Sequence, residues 1–142
     1  MRKQNLSWLP YAAVALVILA SAAKGAAAPA PAKPPTNQRP LLLGELVALA
    51  RRVGFPDPEL AAAVAMAESG GNAGAVGDNG TSFGLWQIHT PVHPQFSPQS
   101  MLDPTSNALA AFAISSQGTN WHPWTTFNTG AYKQFYRSKA NA

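Results

Sequence analysis

Hydrophobic and polar positions divide the chain into three unlike stretches. Residues 4–23 form one uncharged run, apolar without a break from Ala12 to Ala20, with no polar face. Residues 25–40 (GAAAPAPAKPPTNQRP) hold five prolines and no large apolar side chain, a composition that suits neither helix nor core. Beyond them the pattern turns periodic. Leu42, Leu46, Leu49 and Val53 make a helical stripe within Leu41–Val53, and Gly54 ends it. Asp57-Pro58 reads as an N-cap followed by proline at the first helical position, which predicts a second helix over Glu59–Ser69. Leu60, Val64 and Ala67 or Glu68 would share one side of it, and Gly70-Gly71 stops it. Residues 70–84 contain six of the eleven glycines, and Asp78-Asn79-Gly80 is a hairpin-turn signal. Asp103-Pro104 opens a third helix over Thr105–Gln117, closed by Gly118. Shorter helical pieces are expected around Trp124–Phe127 and Gly130–Ser138. The fold class read from this pattern is α+β, mostly α, with one small hairpin region.

The leading stretches predict a topology. Arg2 and Lys3 precede the apolar run, and Ala20-Ser21-Ala22-Ala23 follows with an A-x-A pattern. Residues 1–24 therefore read either as a cleaved signal peptide or as a retained transmembrane anchor. Both place the remainder outside the cytoplasm, and the second makes the membrane a partner through residues 4–23. Residues 25–40 read as an extended linker, reaching roughly 50 Å at about 3.1 Å per residue. Residues 41–142 make the folded domain.

Charge and composition then exclude several functions. Residues 1–39 carry five basic side chains and no acid, while 40–142 carry five basic and six acidic. The net charge of +4 thus belongs to the leading stretches, and the domain offers no basic stripe for nucleic acid. With no cysteine, disulfides, iron–sulfur clusters, thiolate zinc and cysteine nucleophiles are out. His89-x-x-x-His93 would need a helix to converge on a metal, and Pro91 and Pro94 forbid one, so neither metal nor cofactor is expected.

Six acids remain to carry chemistry. Asp57 and Asp103 are helix caps, and Glu45 and Glu59 suit early helical turns. Glu68 fits none of these roles. It ends an apolar helix just before Gly70, at the wrong end of the helix dipole and beside apolar neighbours. Both effects favour the protonated carboxyl that a general acid needs. By position alone an exposed last-turn glutamate is the simpler reading.

The flanking residues change that. Glu68-Ser69 is followed by Gly77-Asp78-Asn79-Gly80-Thr81-Ser82-Phe83-Gly84-Leu85-Trp86-Gln87-Ile88, and later by Trp121-His122-Pro123-Trp124 and Phe127-Asn128-Thr129-Gly130. In this order the segments resemble the lysozyme-like superfamily, in particular lytic transglycosylases and goose-type lysozymes. That family places Glu-Ser at a helix end, then a glycine-rich hairpin, then Gly-Leu-x-Gln-Ile, then Tyr-Asn-x-Gly. Trp86 stands where the family often has Met, and Phe127 where it has tyrosine. The Trp121–Trp124 run is similar to tail-associated phage muramidases. The resemblance covers roughly 56–136.

The resemblance implies a peptidoglycan glycan strand as substrate. Glu68 would protonate the oxygen between N-acetylmuramic acid and N-acetylglucosamine, through an oxocarbenium-like transition state. In a transglycosylase the same residue then takes the proton of the muramic C6 hydroxyl, which attacks C1 and leaves a 1,6-anhydro end. Asp78 matches the first aspartate after the acid in goose-type lysozymes and would position water in a hydrolase, though Asp before Asn-Gly is also a plain turn residue. The second such aspartate falls on His89. Expected substrate contacts are Gln87, Asn128, Trp86, Trp124 and Tyr132, with Trp121 also able to stack on a sugar. Ser69 is expected to orient Glu68 or close its helix, and Tyr132 to replace the hydroxyl missing at Phe127. The expected activity is a lytic transglycosylase. A muramidase that uses water and a non-catalytic glycan-binding module stand as alternatives. Enzymes serving a secretion or conjugation machine or a virion all fit.

Overall fold

The computed structural model describes residues 39–136. The predicted leader 1–24, nearly all of the linker 25–40 and the chain beyond Tyr136 lie outside the described residues. Among the described residues no helix is long and apolar enough to cross a membrane.

Helix α1 runs Leu43–Val53 and helix α2 Pro58–Ser69. The first begins two residues later than its stripe suggested, because Glu45 turns back to accept the Leu42 amide at 2.8 Å. Arg39 clamps that carboxylate with two bonds of 2.7 and 2.8 Å, and together these partners hold Glu45 down at about 2. Asp57 caps α2 as expected, accepting the Leu60 amide at 2.9 Å. Gly70 stops the helix in the left-handed conformation (φ 62°) that a Cβ would penalise.

Helix α2 is the central element of the domain. Ala61 to Ala65 are all buried, on every side of the helix rather than along one stripe. Small side chains make this possible, since they let α1 and the later segments approach closely. Helix α3, Pro104–Ile114, is capped by the Asp103 carboxylate on the Ser106 amide (2.8 Å). It stops three residues short of the predicted Gln117. Ser116 and Gln117 adopt positive φ of 52° and 61°, so the chain leaves the helix before Gly118. Helix α4, Thr125–Asn128, and a 3₁₀ turn at Ala131–Gln134 account for the two short pieces expected near the end.

Between α2 and α3 lies the small antiparallel sheet: β1 Val76–Gly77, β2 Ser82–Phe83 and β3 Ile88–His89, in that order. The mostly helical α+β class with one hairpin region is therefore the observed one. Asp78 (φ 49°) and Asn79 (φ 55°) form the turn between β1 and β2, one residue earlier than an Asn-Gly turn would. The Gly80 amide closes it on the Gly77 carbonyl at 3.0 Å.

Asn107 of α3 holds the return of this hairpin. It is fully buried and makes three bonds: its Oδ1 accepts the Trp86 amide (2.8 Å), and its Nδ2 donates to the carbonyls of Phe83 (2.8 Å) and Met101 (2.9 Å). Gly84 must be glycine here, since a Cβ would meet the Met101 carbonyl at 2.1 Å and Asn107 Nδ2 at 2.4 Å. Beneath the sheet an aromatic cluster fills the core. Phe55 stacks on Trp86 and Trp121, and Trp121 packs on Trp124. Each of these indole N–H groups finds a carbonyl: Trp86 on Ala61 (3.0 Å), Trp121 on Gly118 (3.1 Å), Trp124 on Trp86 (2.8 Å).

Candidate active site

Glu68 leaves the buried helix α2 in its last turn, so its backbone is rigid while its carboxyl reaches the surface of the core. A cleft of about 610 Å³ opens there, between the end of α2, the sheet and α4. Glu68, Asp78, Ser82, Gln87, His89 and Thr126 line it, with Trp124 forming apolar wall. Burial pushes the Glu68 carboxyl above the usual carboxylate range. The Thr126 hydroxyl, 2.5 Å from Oε1, and the Thr126 amide pull it back, and the nearby negative charge of Asp78 pushes it up again. Burial wins. Thr126 thus fixes one carboxyl oxygen, Oε1, by donating its hydroxyl to it.

The opposite wall is built by the hairpin. Asp78 sits exposed on its turn and accepts the Ser82 hydroxyl at 2.5 Å, and Ser82 in turn lies 3.1 Å from His89 Nδ1. Gln87 lines the cleft, but its amide nitrogen is committed to the backbone carbonyls of Gly84 (2.9 Å) and Ala75 (3.3 Å). This leaves its Oε1 for a ligand.

Several expected contacts fall elsewhere. Trp86 is fully buried beneath the sheet and reaches no sugar, and Trp121 joins it in the core. Asn128 is spent on His122, accepting at its Oδ1 from the ring (2.9 Å) and donating to the His122 carbonyl (2.8 Å), outside the cleft. Tyr132 stacks on Phe127 with ring centroids 4.9 Å apart, and the hydroxyl that bonds Glu68 is that of Thr126. Ser69 bonds back to the Ala65 carbonyl at 3.1 Å, so it closes the helix. Trp124 does line the cleft, although it is almost wholly buried. A hydroxyl does reach Glu68, but from Thr126, one residue before Phe127, which sequence reasoning passed over.

A second groove of about 640 Å³ runs past Arg39, Arg52 and Thr105. Its one carboxyl, Glu45, is held ionised by Arg39 and offers no proton. The Glu68 cleft, whose carboxyl is raised rather than lowered, is therefore the candidate site.

A family model described as a lysozyme-like domain matches residues 47–126, more than half of the chain. The chain belongs to the lysozyme-like domain family. No curated protein and no solved structure gives a significant match. The matched span of this lysozyme-like domain runs from within α1 to Thr126, and so includes Glu68, the whole hairpin and the cleft. The family is associated with cleavage of peptidoglycan, and a cleft lined by a carboxyl that burial raises above its ordinary range is chemically suited to it. Among the described residues no group of three or more histidine, aspartate or glutamate side chains converges as a metal site.

Proposed function

We propose that this lysozyme-like domain is a peptidoglycan lytic transglycosylase with Glu68 as general acid and then general base. The observation that carries the reading is a half-buried carboxyl, raised above its ordinary range by burial, facing a cleft from a rigid helix end. Such a group donates a proton to the oxygen linking muramic acid to glucosamine as that bond breaks. Positive charge grows at C1 and the ring flattens. Glu68, now ionised, accepts the proton of the muramic C6 hydroxyl as that oxygen bonds to C1, closing the 1,6-anhydro ring. One carboxyl suffices, since an intramolecular nucleophile is already at high effective concentration. The substrate places the action outside the cytoplasm.

Hydrolysis by a muramidase is the second reading, and Asp78 favours it. Its carboxylate lies on the same cleft and is held there by Ser82. Inverting hydrolases need such a second carboxylate about 6.5–9.5 Å from the acid to activate water. The test is product analysis of purified sacculi treated with the purified protein. Muropeptides ending in anhydromuramic acid are expected. Free reducing ends instead would establish the hydrolase. Lysis that survives Glu68→Gln would overturn both, and absence of any lysis would leave only a glycan-binding module.

A further inference from the structure

The hairpin wall of the cleft contains a hydrogen-bonded chain whose direction can be deduced. Ser82 is 1% exposed and sits on β2 directly across from His89 on β3. Its Oγ is 2.5 Å from Asp78 Oδ2 and 3.1 Å from His89 Nδ1. A hydroxyl has one proton, and an ionised carboxylate can only accept. The shorter contact assigns the Ser82 proton to Asp78. Ser82 therefore turns a lone pair to His89, and Nδ1 must carry a hydrogen. Both the imidazolium and the neutral Nδ1–H tautomer satisfy this, and the Nε2–H tautomer does not. No other side chain among the described residues bonds to the His89 ring.

We propose that Ser82 and His89 are positioning residues that fix the Asp78 carboxylate on the wall of the cleft opposite Glu68. The proposal rests on Glu68 being the acid of a glycosidase. Asp78 needs this support because it sits on an exposed turn with left-handed backbone, where no other side-chain hydrogen bond holds it among the described residues. A fixed negative charge there stabilises the positive charge that grows on the sugar ring in the transition state, whichever nucleophile follows. The direction of donation matters. A carboxylate in place of His89 would compete for the single Ser82 proton and release Asp78. Histidine, donating from Nδ1, reinforces the Ser82–Asp78 bond instead. The other titratable groups lining this cleft are Glu68 from α2 and His93 from the segment after β3. Neither of them is a hydrogen-bond partner of Ser82.

Two measurements on the purified protein test this. Nitrogen-15 NMR of labelled histidine is expected to show His89 protonated at Nδ1, with Nε2 bare when the ring is neutral. An Nε2–H tautomer would overturn the chain, and this readout does not depend on any glycan being cleaved. On sacculi, His89→Asp and Ser82→Ala are expected to lower kcat about tenfold with KM within twofold of the parent. His89→Asn, whose amide can donate from the Nδ1 position, is expected to stay within about threefold. His89→Asp matching or exceeding His89→Asn would refute the role. Should Ser82→Ala fail to fold, the pair of His89 variants and the tautomer decide. Loss of lysis in every variant including His89→Asn, with the Nδ1–H tautomer intact, would also refute positioning, because the imidazole itself would then be required. If Glu68→Gln leaves lysis intact, the acid assignment fails while the tautomer still reports on the chain.

Discussion

Glu68 and Thr126 act as one unit although 58 positions separate them. Burial raises the carboxyl above its ordinary range, and the Thr126 hydroxyl binds one of its oxygens. Removing the acid with Glu68→Gln is expected to lower lysis by at least about 10²-fold, the usual contribution of a positioned general acid. The same substitution gives a stability signature with a definite sign. A carboxyl whose folded value is raised binds its proton more tightly in the native state than in the unfolded chain. Stability from that group is complete below the ordinary value of about 4.3 and erodes as pH rises through the folded value. Glutamine has no such term. Thermal melts of Glu68→Gln should coincide with the parent near pH 4 and exceed it at pH 7, and melts that coincide at both would contradict the raised carboxyl. Thr126→Val removes the bond that lowers the Glu68 value, so the alkaline limb of the activity profile should move to higher pH. At its optimum kcat should fall roughly three- to tenfold, the worth of one hydrogen bond. Thr126→Ser should restore both. A profile that stays in place would mean Thr126 does not govern the acid.

The hairpin is held from outside itself. Its three strands have two residues each, far too few for a sheet to stand alone, and Asn107 of α3 supplies the bonds that fix its return. Asn107→Leu would remove all three of these buried bonds, at a cost of about 3 kcal/mol or more. Gly84→Ala should be at least as damaging because backbone blocks the new methyl group, whereas Gly80→Asn meets open space and should cost less than about 1 kcal/mol. Denaturant unfolding of the three variants checks the ranking. Much of this level was legible beforehand. Proline after aspartate marked the starts of α2 and α3, glycine marked the end of α2, and the glycine-rich stretch marked the hairpin. The candidate site was legible in outline: the helix end and the turn marked Glu68 and Asp78 locally, and the family resemblance supplied Gln87. Asn107 was not, since one polar residue in an alanine-rich helix looks like a solvent position until its partners are known. Thr126 was hidden for the same reason: its partner lies far away in sequence. Trp86 and Trp124 are indistinguishable by type, and only tertiary packing puts one under the sheet and the other on the cleft.

Seen across the whole molecule, the last described segment straps both ends of α2. At one end Thr126 of α4 holds Glu68, and at the other the Tyr136 hydroxyl donates to Asp57 Oδ2 at 2.7 Å. Stacking of Tyr132 on Phe127, and its tilted contact with Tyr136, stiffens the chain between these points. Asp57 is thus shared, with one oxygen on the α2 amide of Leu60 and the other on the strap. The bond to the Asp57 carboxylate is the main cause that raises the Tyr136 hydroxyl from its ordinary value to about 12. A raised folded value means that the native state keeps the phenolic proton longer than the unfolded chain. The stabilisation is complete below about pH 10 and is lost as pH climbs through about 12. Solvent at the hydroxyl limits its worth to about 1 kcal/mol or less. Tyr136→Phe should therefore melt a few degrees below the parent at pH 7 and converge with it toward pH 12. A gap that stays constant over that range would mean the ring packs but the hydroxyl holds nothing. Because the strap also delivers Thr126, the same variant should lower lysis, yet by less than Thr126→Val, which cuts the connection at the acid itself.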